Sequence, residues 1–219
     1  MPCSTCTTDG VSAPSEPSIV LNPLPVAIPG APVTSAAPAR RALAPKNYRR
    51  LQITALRAGD TATVRRVFDG LSGRSRYLRF HAGRSTLPIR MQRGLADIRP
   101  DQHIAHVAVL AGRPVGLVRW IRFENDRRDA ELAVEVIDAV QRTGIGRELI
   151  RRAARSAVAA GIEHFVGYLS PGNSELRARA IAHGGVVDPD DRSLVRLHVG
   201  ALLRSLEPPA PQLPRQRRR

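Results

Sequence analysis

A six-residue turn, Gln141-Arg142-Thr143-Gly144-Ile145-Gly146, separates the apolar run Ala130–Ile137 from the long periodic run Arg147–Ala160. The first run reads as a strand and the second as a helix. Strand, tight turn and helix in direct succession commit the chain to a sheet with a helix laid on it. Glycines at 144 and 146 let the backbone turn sharply and place no Cβ in front of the amides. The first amides of a helix have no intrahelical partner, and the helix dipole favours an anion there. The turn therefore reads as a pyrophosphate cradle, with each charge-assisted N–H···O–P bond contributing about 1.5–3 kcal/mol.

The remaining pattern supplies the rest of a layered α+β domain. Arg50–Arg57 predicts a first strand, and Gly59-Asp60 introduces a helix over Thr61–Leu71, with Val64, Val67, Phe68 and Leu71 at helical spacing. Further helices are expected over Ser75–Ala82 and Ile89–Ile98. Strands His103–Leu110 and Val115–Phe123 flank the turn Ala111-Gly112-Arg113-Pro114, a hairpin signal. Strand Asp129–Ile137 leads to helix Gly144–Ala160, with Ile145, Leu149, Ile150, Ala153 and Ala157 along one side. Strand His164–Leu169, helix Ser174–His183, a Gly184-Gly185 stop and strands Val186-Val187 and Leu194–Val199 complete the sheet. No internal repeat is present.

Composition sets the domain limits. Residues 1–47 hold nine of the eighteen prolines and no aromatic side chain, so they cannot bury enough apolar surface to offset their ordering entropy. They are expected to be a disordered arm, and residues 207–219, rich in proline and arginine, a disordered tail. Residues 48–206 then form one domain, long enough for its own core. The flanks carry +1 and +3 of the net +15, leaving +11 on the domain and favouring anionic partners. All but one of the 34 basic residues are arginine, the exception being Lys46, a skew that base composition alone could produce. Cys3 and Cys6 are the only cysteines, and a lone Cys-x-x-Cys is a weak metal or redox signal. Prolines break Ile19–Val33, which is neither a leader peptide nor a span; the expected location is the cytoplasm.

The segment Gln141–Gly146 resembles the acetyl-CoA-binding motif of the GCN5-related N-acetyltransferases, with Gln141, Gly144 and Gly146 at its fixed positions. Ala130-Glu131-Leu132-Ala133-Val134 is similar to the start of that family's central strand. Leu71–Phe80 is similar to a helical segment of bacterial protein-lysine acetyltransferases, and Asn173 follows a strand where the family often has a cofactor-contacting asparagine. The resemblance covers about residues 48–206, and it implies a mixed, mostly antiparallel central sheet with flanking helices.

The resemblance also implies acetyl-CoA as cosubstrate, direct acyl transfer to an amine, and no metal. Glu131 stands at the position of a general base, with Glu135 as second choice; on a regular strand the two share a face. Either could instead be an arginine partner. Backbone groups of Val134, Glu135 and Val136 are expected to meet the pantetheine arm. The amides of Arg142, Thr143, Gly144, Ile145 and Gly146 would hold the pyrophosphate, with help from the Arg142 charge and the Thr143 hydroxyl. Asn173 is either a pantetheine contact or a helix N-cap. The tyrosine that many members use to protonate the departing thiolate is replaced by Ala180, which leaves the general acid unassigned. The Leu71–Phe80 match favours a protein lysine as acceptor, with a small amine still open. His103 and His106 read as core or surface histidines rather than ligands, Tyr77 and Phe80 as packing residues, and Arg74, Arg76 and Arg79 as a solvated face bordering the acceptor cleft. The rival expectation, drawn from the charge, is a non-catalytic domain that binds nucleic acid or an acidic protein. Arg217–Arg219 adds little to it.

Overall fold

The structure, a computed structural model, describes residues 51–170 and 172–207. The expected arm over 1–47, the tail from 208 onward, Cys3, Cys6 and Arg217–Arg219 lie outside the described residues. Along the chain come β1 (Leu51–Ala55), α1 (Thr61–Asp69), α2 (Gly73–Phe80), α3 (Ile89–Leu95), β2 (His103–Leu110), β3 (Arg113–Arg122) and β4 (Asp129–Val136). A 3-10 turn, Asp138–Val140, precedes α4 (Ile145–Ala159), β5 (His164–Tyr168), α5 (Ser174–Ala182), β6 (Val186–Val187), β7 (Leu194–His198) and α6 (Val199–Leu206). The strands form one sheet in the order β1-β2-β3-β4-β5-β7-β6. Every neighbouring pair is antiparallel except β4–β5. This is the mixed, mostly antiparallel α+β architecture expected from the sequence.

Helix starts follow local chemistry. The Asp60 carboxylate accepts from the Thr63 amide at 2.9 Å and the Ser72 hydroxyl from the Ser75 amide at 3.2 Å, capping α1 and α2. Two readings need correction. The β2–β3 hairpin turns on two residues, Ala111 and Gly112, both at positive φ (50° and 78°), so Arg113 and Pro114 already belong to β3. A register shift between Ala108 and Val109 accommodates Pro114, which has no N–H to give the ladder. The last strand also ends at His198, whose ring caps a helix that the sequence reading missed. Val199, Leu202 and Leu206 are buried at helical spacing on that helix, α6.

The sheet has a helical layer on each face. One core gathers α4, α6 and the sheet residues Val118, Trp120, Ala130 and Phe165; the other joins α1, α2 and α3 to Ala105, Val107 and Leu117. On α4 the buried stripe is Ile145, Leu149, Ala153 and Ala157. It lies so close to β3 that a Cβ at Gly116 would fall 3.0 Å from Leu149 Cδ1 and 2.9 Å from the Glu135 carbonyl oxygen. Truncating Leu149 to alanine would cost about 2–5 kcal/mol in transfer and cavity terms. Phe80 packs on Phe68 with ring centroids 5.5 Å apart, whereas Tyr77, expected to pack, is 52% exposed. Among the described residues no helix is long and apolar enough to cross a membrane.

Candidate active site

The parallel pair β4–β5 runs for three residues only, Asp129↔His164, Ala130↔Phe165 and Glu131↔Val166. Beyond Glu131, β4 stays paired with β3 as far as Gly116↔Val136, while its other edge has no strand partner among the described residues. Backbone alternation fixes what that edge offers. The Ile137 amide donates to the Val115 carbonyl and the Asp129 carbonyl accepts from Phe123, both at 3.0 Å, so the odd-numbered residues direct their polar groups toward β3. Those of Val134 and Val136 therefore face the opened edge. Gln141 spans this point: its side-chain amide donates to the Val136 carbonyl at 2.9 Å and to the Ser75 hydroxyl of α2 at 3.2 Å.

The turn before α4 carries two left-handed residues, Arg142 (φ 64°) and Gly144 (φ 91°), the second being the conformation glycine adopts without strain. Gly144 has no side chain to cap the helix, so the amides of Ile145, Gly146 and Arg147 have no intrahelical or capping partner among the described residues. A Cβ at Gly146 would meet only Val136 Cγ2, at 3.8 Å. The side chains expected to help here already have protein partners. Arg142 pairs with Glu175 of α5, which also accepts from Arg179 at 2.8 Å, and the Thr143 hydroxyl donates to the Val140 carbonyl. Asn173 is the N-cap of α5, accepting from the Leu176 amide at 3.4 Å. The groups left without a partner at this turn, among the described residues, are therefore backbone amides.

Glu131 and Glu135 lie on one face of a strand without a bulge, yet they meet different surroundings. Glu135 is buried, with Oε2 2.6 Å from Arg79 Nε and Oε1 2.8 Å from Arg119 Nη2. Burial pushes its carboxyl up, but the charges and hydrogen bonds of Arg119 and Arg79 outweigh this and hold it below the usual carboxylate range. Glu131 is half-buried, and no hydrogen-bond or ion-pair partner reaches its carboxylate among the described residues. Burial pushes it up, and the more distant pull of Arg79 and Arg119 does not cancel that. Tyr168 is on the same side, two residues past the last β4–β5 pair. Its phenol is pushed up by burial and then by the charges of Glu131 and Asp191.

Arg119, Asp138, Ser75 and Tyr168 were not singled out in the sequence, and Arg79 was read as solvated. Arg119 had a signal: it is the only charge in the apolar run Val115–Ile121, and it is 1% exposed with Nη1 donating to the Leu95 carbonyl at 3.1 Å. Asp138 had none. Its carboxylate accepts from the Ser72 amide at 2.7 Å and the Ser75 hydroxyl at 3.0 Å, tying α2 to the turn before α4 across a long stretch of chain. Arg76 is not solvated either, its guanidinium donating to the carbonyls of Phe68, Asp69 and Ser85. His103 and His106 are both buried. His103 Nδ1 lies 2.7 Å from the Asp97 carbonyl oxygen and His106 Nε2 lies 3.2 Å from Ser156 Oγ.

Residues 74–183, half of the chain, match the model of the acetyltransferase (GNAT) family. Among solved structures the fold is similar to that of the GNAT domain of S. lividans PAT, at 21% identity and a TM-score of 0.61 over 67% of this chain and 88% of that one. It is also similar to spermidine N-acetyltransferase from Vibrio cholerae in complex with CoA and spermine (17% identity, TM-score 0.55, 71% and 99% covered). A third is yncA from Salmonella typhimurium with its cofactor acetyl-CoA (18%, 0.54, 68% and 94%). At such identities the likeness is one of fold, and the family match carries the assignment. With the opened β4 edge and the uncapped glycine turn in place, the chain belongs to the acetyltransferase (GNAT) family.

Proposed function

We propose that this chain is an acetyl-CoA-dependent N-acetyltransferase in which Glu131 is the general base and a protein lysine the acceptor. One observation carries the reading: Glu131, half-buried and unpartnered among the described residues, stands at the last residue of the β4–β5 pairing, where the opened edge begins. The residues fit the cosubstrate. Backbone groups of Val134 and Val136 suit the amides of a pantetheine arm, and the amides of residues 145–147 suit a pyrophosphate. When bound, acetyl-CoA supplies a thioester carbonyl that an uncharged amine can attack.

The chain's own part is the proton. A lysine of ordinary pKa needs about 4–5 kcal/mol to deprotonate at neutral pH. Glu131 takes that proton, and its raised carboxyl brings it nearer the operating pH, where a general base works best. Glu135 suits this role poorly, since both its oxygens are held by guanidinium groups; it anchors Arg79 and Arg119 beside Glu131. The domain has no cysteine, and transfer is direct within a ternary complex.

Two measurements test this. Calorimetry with acetyl-CoA should show binding by the wild type and none by Gly146→Glu, whose new side chain enters the cradle without disturbing the packing below. With poly-lysine as amine probe, Glu131→Gln should lower kcat about 10²–10⁴-fold and leave acetyl-CoA affinity unchanged. Folded wild-type protein that binds no acetyl-CoA would sink the reading, and an active Glu131→Gln would remove Glu131 as base.

A further inference from the structure

We propose that α2, the α2–α3 connection and α3 form a docking surface for an acidic segment of the acceptor protein, so that the lysine presented to Glu131 is one flanked by aspartate or glutamate. The proposal rests on the acyl-transfer reading and gives the acceptor its chemistry. Between Asp69 and Asp97 the chain has six arginines and no acidic residue. Two of the six are engaged inside the protein: Arg79 on Glu135, and Arg76 on three carbonyls and over the Phe68 ring at 4.5 Å. The other four, Arg74, Arg84, Arg90 and Arg93, are exposed, and among the described residues no carboxylate pairs with them.

Several arginines elsewhere on the surface do have such a partner. Arg65 faces Asp69, Arg99 faces Asp97, Arg155 faces Glu207, Arg179 faces Glu175 and Arg196 faces Asp129. One unpaired guanidinium in water is unremarkable. Four within residues 74–93, with no carboxylate between them in the sequence, concentrate positive charge on this segment and favour an acidic complement from another molecule. Two large apolar side chains share the segment, Tyr77 at 52% and Ile89 at 56% exposure. Arginine and tyrosine without acidic neighbours is the composition of a protein-contacting patch.

The position of the surface links it to the chemistry. Ser72 and Ser75 at the start of α2 are hydrogen-bonded to Asp138, Ser75 also to Gln141, and Arg79 near its end to Glu135. The helix is thereby held against the C-terminal half of β4, and a segment lying on α2 runs beside the opened edge. Each exposed pair is weak alone and screened by salt, so the surface selects by summed charge.

The test is fluorescence anisotropy on the full chain without acetyl-CoA. The probes are two labelled peptides with one central lysine, flanked in one by aspartates and glutamates and in the other by asparagines and glutamines. The acidic peptide should bind about tenfold tighter at low salt, and the difference should vanish near 0.5 M NaCl, where the Debye length is only about 4 Å. Arg84→Glu with Arg93→Glu should abolish or invert the preference and leave acetyl-CoA affinity as it was. Equal binding of the two peptides, an unchanged preference in the variant, or displacement of the acidic peptide by a tighter-binding oligonucleotide would overturn the proposal. If the acidic peptide binds as expected yet receives no acetyl group from acetyl-CoA, the docking surface stands and the transfer reading falls.

Discussion

The two faces of the central sheet handle buried polarity in opposite ways. Under α4 the bridging polar network is neutral: Trp120 Nε1 donates to Ser156 Oγ at 2.9 Å, that hydroxyl donates to the Ala153 carbonyl at 2.9 Å, and His106 Nδ1 is buried without a hydrogen-bond partner among the described residues. Between the sheet and the α2–α3 layer stand two carboxylates of β4 and two guanidinium groups, Arg119 from β3 and Arg79 from α2, with Glu135 and Arg119 almost fully buried. The neutral face holds the helix that begins at the glycine turn. The charged face surrounds Glu131, the carboxylate proposed to move a proton, and buried charge there carries a desolvation cost that the neutral face avoids.

The largest effect should come from breaking the charged face. Arg119→Met leaves Glu135 buried with Arg79 alone, and removing one partner of a buried pair typically costs 3–5 kcal/mol. Denaturant unfolding should show a loss of about that size. Adding Glu135→Leu to it should recover more than about 1 kcal/mol, because the orphaned charge disappears with its partner. Strict additivity of the two substitutions would show that the pair is not coupled and that the contrast between the faces is overstated.

How far the sequence reached follows the same division. The strands, the glycine turn and α4 were legible because each is written in local periodicity and turn chemistry. Helix α6 was missed although Val199, Leu202 and Leu206 repeat at helical spacing, since the strand-like run Leu194–Val199 leads straight into it. Glu131 was singled out by position, but the difference between its surroundings and those of Glu135 was not legible. That difference depends on Arg79 arriving from α2 and Arg119 from β3, contacts between residues far apart in the chain. Arg142 and Thr143 were assigned to phosphate by sequence position, while in the structure their side chains meet Glu175 and Val140.

Acid should load both faces next, since each has one buried histidine, and only the charged face sets Glu131 against that loss. Burial, reinforced by Arg119 at His103 and by Arg152 at His106, lowers both rings from 6.5 to about 4. The unfolded chain takes up these protons near pH 6.5 and the folded chain only near 4. Stability is therefore complete above about pH 6.5 and lost as pH falls toward 4, by about 3 kcal/mol per ring. Glu131 acts in the opposite sense: its raised carboxyl binds a proton more readily when folded, so Glu131→Gln should steepen the acid loss. Unfolding curves from pH 7.5 to 4.5 should flatten by about one proton in either His103→Asn or His106→Gln. Unchanged slopes would mean that burial does not hold the rings neutral.

The smallest effect separates structure from function most cleanly, because each face also has one bridging serine. Ser156→Ala leaves the Trp120 indole N–H and the His106 ring without their shared partner, at a cost of about 1–3 kcal/mol. Nothing in that network touches the opened edge, so KM values should not move. Ser75→Ala removes a hydroxyl that donates to Asp138 and accepts from Gln141, both closer to solvent, and should cost about 0.5–1.5 kcal/mol. Its effect should appear in acceptor KM, since α2 loses part of its tie to the turn and Gln141 loses one of two fixed partners. Thermal unfolding beside initial rates on both variants reads this out. If Ser75→Ala destabilises as much as Ser156→Ala and leaves acceptor KM unmoved, α2 is a structural element like α4, and the division between a holding face and a reacting face fails at that helix.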